Sequence, residues 1–130
     1  MAPGARPPVR LSIPADARFL RVARLTAAAI AGDLDFTVED IEDLRVAVDE
    51  ACAVLIDGER SDDAVLDLAY READGGLVIE GATTVGAGTV PELHVVAAEV
   101  LAMTADACDF ATDERQRTFT LRKEPSGQGA

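Results

Sequence analysis

Asp49 and Glu50 fall late in the stretch Thr37 to Ile56, TVEDIEDLRVAVDEACAVLI, which reads as one helix. A helix dipole disfavours negative charge near that end, so the two acids need another reason to be there. One reason is plain solvent exposure; the other is a functional carboxylate. Arg18, Arg21 and Arg24 come three apart and form a basic edge in an otherwise acidic chain. That edge reads either as a solubilising stripe answering local acids such as Asp16 or as a contact surface for a partner. His94 is the sole histidine. Without partner ligands it makes no metal site and reads as a surface or groove residue. Cys52 and Cys108 have neither zinc-ligand spacing nor a CxxC pattern, and Cys52 reads as a buried small residue.

These side chains are positioned by a short set of elements. Thr37 caps the central helix, with Asp40 three residues on as the reciprocal acid of a capping box. Ile41, Leu44, Val48, Ala51, Cys52 and Leu55 follow as an apolar stripe, widened by Ala47 and Ile56. Ahead of it, alternation predicts a strand over Val9 to Ile13, ended by Pro14. A first helix runs from Ala15 to Ala31, capped by Asp16 and stopped by Gly32 and Asp33. Downstream, strands are predicted over Ala64 to Arg71 and Leu77 to Ala82, joined by a hairpin turn at Asp74, Gly75 and Gly76. Thr83 to Thr89 reads as loop, without the Lys-Ser/Thr end of a Walker phosphate loop. Pro91 opens a third helix over Glu92 to Thr104, with Leu93, Val96, Ala97, Val100, Leu101 and Met103 mostly inward. Ala107 to Thr112 and Gln116 to Lys123 close the chain as a hairpin turning at Asp113 and Glu114. The order implies an α+β fold: a two-layer sandwich of a mostly antiparallel sheet with helices on one face.

With 130 residues the chain forms one domain, 9–123, between tails 1–8 and 124–130 that read as disordered. Aromatics are 4% and Trp is absent, so the core is built of Ala, Val, Leu and Ile. A net charge of −12 repels nucleic acid backbones and anionic membranes. It favours a basic protein partner instead. No stretch has the form of a signal peptide or the length of a membrane span, which predicts a cytoplasmic protein with reduced thiols.

The phrase DIEDLRVAVDEACAVLI resembles the signature helix of bacterial serine-kinase anti-sigma factors, and most closely the actinobacterial stress-response and sporulation members. The resemblance implies a minimal histidine-kinase-type ATPase fold, of the superfamily that includes gyrase, Hsp90 and MutL. In the family a Glu activates water or the substrate hydroxyl, and an Asn four residues later holds ATP-bound magnesium. Glu50 stands at the Glu position and Val54 at the Asn position. In the family the strand matching Leu77 to Ala82 ends in an Asp-x-Gly-x-Gly motif whose Asp reads the adenine amino group. Here that strand runs out through Glu80, Gly81, Ala82, Thr83 and Thr84, with Glu80 the nearest acid. The family's phosphate-binding turn is replaced by Val90 to His94, where Pro91 lacks an amide donor and Glu92 opposes a triphosphate. Asp49, Asp57 or Glu80 are candidates to recover one metal contact. A first-helix Arg in the family touches sigma factor and antagonist; Arg24 falls on it, flanked by Arg21 and Arg18.

The resemblance therefore implies a sigma factor and an anti-anti-sigma antagonist as partners, and a homodimer formed through the sheet and first helix. The expected function is sequestration of a sigma factor without ATP hydrolysis or a cofactor, Glu50 being a vestigial base. The alternatives are an ATP- and magnesium-dependent serine/threonine kinase acting on the antagonist, and a non-catalytic scaffold of the same fold.

Overall fold

The structure is a computed structural model and describes residues 6–58, 62–84, 94–113 and 116–126. Five strands, β1 (Val9–Pro14), β2 (Val65–Ala73), β3 (Gly76–Thr84), β4 (Ala107–Thr112) and β5 (Gln116–Lys123), form one sheet in the order β1-β2-β3-β5-β4. Every pairing in it is antiparallel. Helices α1 (Leu20–Ala31), α2 (Val38–Ile56) and α3 (Val95–Thr104) complete the α+β sandwich. The core joins α1 and α2, with Leu44 and Leu55, to inward residues of the sheet, among them Leu66, Tyr70, Phe119 and Leu121.

The central helix starts as its sequence dictates. Thr37 Oγ1 accepts from the Asp40 amide and Asp40 Oδ2 accepts from the Thr37 amide, both at 3.0 Å. The β2–β3 turn has Asp74 at φ 51° and Gly75 at φ 82°, the primed geometry that matches strand twist. Gly81 faces Phe119 so closely that any Cβ there would collide with the ring. Tyr70 is buried and donates its hydroxyl to the Ala23 carbonyl at 2.9 Å, tying β2 to α1. Burial, chiefly, raises the pKa of the Cys52 thiol, with the Asp49 charge adding to it, and burial pushes Cys108 up to about 12.

Several boundaries differ from expectation. The first helix is broken: Asp16 accepts from the Arg18 amide and caps a separate 3-10 turn, Ala17–Phe19, before α1 begins at Leu20. Gly32 ends α1 in a right-handed conformation, not a left-handed one. The helix closes by tightening, with Asp33 and Leu34 amides bonding the carbonyls three residues back. Thr83 and Thr84 belong to β3 and not to a loop, because β5 offers Arg117 and Gln116 as ladder partners. Val96 and Met103 on α3 are 70% and 80% exposed; Ala97 and Leu101 carry its buried side. The loop 85–89, the predicted start of the third helix at Pro91 with Leu93, the turn residue Glu114, and parts of both tails lie outside the described residues.

Candidate functional site

The late acids of α2 have separate environments. Asp49 accepts from Arg24 Nη1 at 2.7 Å, bridging α2 to α1. Glu50 is half-buried and forms no hydrogen bond or ion pair with another described residue. One turn further on, Val54 is 7% exposed. Hydrocarbon there gives a hard cation no oxygen. None of the three substitutes for a metal contact repairs this. Asp49 is engaged by Arg24. Asp57 terminates α2 and is exposed. Glu80 lies on the opposite face of the sheet, between the inward Ile79 and Gly81, and pairs with Arg71 at 3.3 Å.

Arg117 was not singled out by sequence reasoning, yet it dominates this end of the molecule. It is 3% exposed and stands inward on β5, in register with Thr83 at the end of β3. Its Nη1 donates to the carbonyls of Leu55 and Asp57, both at 2.8 Å. A cation at a helix C-terminus meets the negative end of the dipole and its unsatisfied carbonyls. Its Nε is buried without a partner among the described residues. The one available signal was alternation: Arg117, Phe119, Leu121 and Lys123 share the inward side of β5.

Among the described residues, Val54 offers a hard cation no oxygen and the buried Arg117 guanidinium ties β5 to the last turn of α2. The turn preceding α3 lies outside the described residues. Among those described, no cluster of three or more His, Cys, Asp or Glu residues could hold a metal. Among the described residues, no helix is long and apolar enough to cross a membrane.

The first-helix arginines are also placed unequally. Arg18 lies in the 3-10 turn, with its guanidinium 5.0 Å from the Phe19 ring centroid and its Nε 3.4 Å from Asp16. Arg21 is exposed and forms no ion pair with a described residue. Arg24 is half-buried against Asp49. His94 is exposed at the N-cap of α3, without a side-chain capping bond. An open groove of about 740 Å³ lies between the chain entering α1 and the end of α2, lined by Phe19, Leu20, Ile56 and Asp57 among others. Neither Glu50 nor Val54 lines it.

The element order and the antiparallel sheet define a class by fold: an α+β sandwich of the minimal histidine-kinase-type ATPase kind. Comparison with known proteins narrows it. The chain is 36% identical over 63 residues to the serine-protein kinase RsbW of Halalkalibacterium halodurans, covering 48% of this chain and 39% of that protein. It is 34% identical over 71 residues to serine-protein kinase RsbW of Bacillus thuringiensis, covering 55% of this chain and 38% of that protein. These matches span well under half the length of either relative. A crystal structure of the RsbU and RsbW domains of Rv1364c from Mycobacterium tuberculosis superposes with a TM-score of 0.65 at 15% identity. That match covers 92% of this chain and 32% of the other. No family model matches the chain. The chain is thus similar in sequence, over about half its length, to RsbW serine-protein kinases, and similar in fold to a chain that carries an RsbW domain.

Proposed function

We propose that this chain is an anti-sigma factor that holds an alternative sigma factor by direct contact and yields it to an anti-anti-sigma antagonist, without turning over nucleotide. The observation that carries the reading is Val54, buried hydrocarbon one turn after Glu50. A base beside no metal-held phosphoryl donor has nothing to transfer.

Arg24 supplies the contact. Asp49 holds its guanidinium in one orientation, which lowers the ordering entropy lost when a partner docks. A partner carboxylate reaching Arg24 competes with Asp49, and exposed Arg21 one turn earlier adds charge for the same approach. Sigma factor and antagonist would compete for this edge, so release follows relative affinity and not nucleotide state. The net charge of −12 favours basic surfaces elsewhere on the sigma factor.

The names of the relatives support a second reading more directly than the first. Both are serine-protein kinases, and in that reading Glu50 is the base toward an antagonist hydroxyl. Three measurements separate the readings. Pull-down with a sigma factor should give stoichiometric capture, weakened at least about tenfold in Arg24→Ala. Calorimetry with magnesium-ATP should give no saturable isotherm. Phosphate transfer to the antagonist should be undetectable. Saturable binding with transfer lost in Glu50→Gln would establish the kinase, and failure to capture any sigma factor would leave only a scaffold.

A further inference from the structure

The bend in the chain before α1 leaves room beside it. Asp16 caps the 3-10 turn Ala17–Phe19, so the backbone leaves β1, turns once and only then enters the helix at Leu20. The Ala15 amide donates to the Ala64 carbonyl at 2.9 Å, which ties this turn to the residue before β2. The other wall is the last turn of α2, and the open groove of about 740 Å³ lies between. Ala15, Ala17, Ala53 and Ala64 line it with methyl groups alone, so the chain's own side chains leave the space unfilled. Phe19 and Ile56 line it as well, each half-buried against the core. The volume lies in the range of ligand-binding clefts.

The rim is acidic. Asp16, Asp57 and Asp62 line the groove together with one cation, Arg18. Arg18 is already engaged, with its Nε 3.4 Å from Asp16 and its guanidinium over the Phe19 ring. Asp57 and Asp62 are exposed and form no ion pair with a described residue. Two negative charges are therefore unanswered there. The C-terminal end of α2 adds the negative pole of its dipole, offset in part by Arg117 at the Leu55 and Asp57 carbonyls. Apolar walls under such a rim favour an apolar group that arrives beside positive charge. They disfavour an anion, and they disfavour a second copy of a chain that carries −12. An open groove also matches an extended protein segment, whereas a small molecule is normally enclosed.

We propose that this groove docks a basic segment of a protein partner, whose apolar anchor residue packs against Phe19 and Ile56 while flanking Lys or Arg side chains meet Asp57 and Asp62. The proposal rests on the reading that this chain holds a protein partner, and it deepens that reading by giving the partner's basic surface a place to dock.

The probe is a short synthetic peptide with one Leu amid Lys and Arg, titrated into the full chain to about 2 mM while amide and methyl signals are followed. Saturable shifts should centre on Phe19, Ala53 and Ile56. Replacing the peptide's Leu by Ser should weaken binding about tenfold. Asp62→Lys should weaken it about fivefold, and added salt should weaken the native complex because the rim is exposed. Ala53→Phe, at an exposed position of α2, fills the groove from its wall and should weaken binding at least about tenfold. The absence of saturable shifts, shifts centred elsewhere, or equal binding of the Leu and Ser peptides would overturn the proposal. So would a folded Ala53→Phe that binds as the native chain does; if it fails to fold, Ala17→Phe in the exposed turn takes its place. Capture of a sigma factor separates this proposal from the reading beneath it. Ala53→Phe should lose capture at least about tenfold with Arg24 intact. Undiminished capture by that variant would overturn the groove and leave sequestration standing. A native chain that captures no sigma factor would bring down sequestration, and the peptide titration would then judge the groove alone.

Discussion

The two ends of α2 are both held by groups of opposite charge, but by different physics. At the N-terminus, Asp40 meets the positive end of the dipole. It is bonded by Thr37 three residues away and by the backbone amide and hydroxyl of Ser126. At the C-terminus, Arg117 meets the negative end from 62 residues away in sequence. Between them, Lys123 Nζ lies 3.8 Å from Asp43. The strand β5 with its following residues thus runs back along α2 as a brace, gripping it at both tips. The N-terminal grip consists of several separate bonds, two local to Thr37 and two to Ser126 86 residues away, that can fail singly. The C-terminal grip is one buried cation, and removing it strands two carbonyls and opens a cavity together. The C-terminal end of α2 is thus the less redundant of the two.

Arg117→Ala should therefore have the largest effect. Lost charge-assisted bonds and the cavity together predict a destabilisation of about 3 kcal/mol, readable as a drop in urea midpoint. Protection of the amides in the last turn of α2 should fall more than that of its first turn. Equal loss at both ends would mean that the brace acts as one unit.

Asp40→Ala comes next, at about 1.5 kcal/mol, because the cap and the Ser126 anchor go together. This end also carries a pH signature. Burial alone would raise the Asp40 carboxyl, but bonds from Ser126 and Thr37 outweigh it and bring the pKa from 3.8 to about 2. A depressed folded pKa contributes stability that is fully present above the unfolded value and is lost as pH falls through the folded one. Native protein should thus lose about 2 kcal/mol relative to Asp40→Asn between about pH 4 and pH 2. The C-terminal grip, a guanidinium, should show no titration in that window. Ser126→Ala should cost about 1 kcal/mol, less than Asp40→Ala, since Thr37 still caps the helix.

How far the sequence could be read follows the same division. The capping box, the α2 boundaries, the Asp-Gly hairpin and the β4–β5 hairpin depend on neighbours in the chain, and all were legible. Glu50 and Val54 were readable as neighbours one turn apart because a helix fixes their spacing, while their roles came only from the resemblance. Arg117 was not, because its partners are backbone carbonyls brought near only by the packed sheet, and carbonyls carry no residue code. The 3-10 break before Leu20 was missed since Asp16 caps either kind of turn equally well. Val96 and Met103 were misplaced because α3 is apolar nearly all round, with Glu99 its one charged residue, so no stripe marks an inward side.

The smallest expected effect falls outside the brace and tests whether stability and contact are separable. Arg24 and Asp49 form a short ion pair, but their side chains are 34% and 48% exposed, so water screens them. A double-mutant cycle over Arg24→Ala and Asp49→Ala should return a coupling of about 0.5 kcal/mol in unfolding free energy. The same cycle read through capture of a sigma factor should differ. Asp49→Ala frees the guanidinium from its orientation, which loosens the docking geometry but leaves its charge, so capture should weaken by only about threefold. Arg24→Ala removes the charge itself and should weaken capture far more. If Asp49→Ala were as damaging as Arg24→Ala, the contact would be made by the pair as a unit. If the coupling in stability reached about 2 kcal/mol, the pair would be a structural clamp like Arg117, and the first-helix edge would lose its claim as a binding surface.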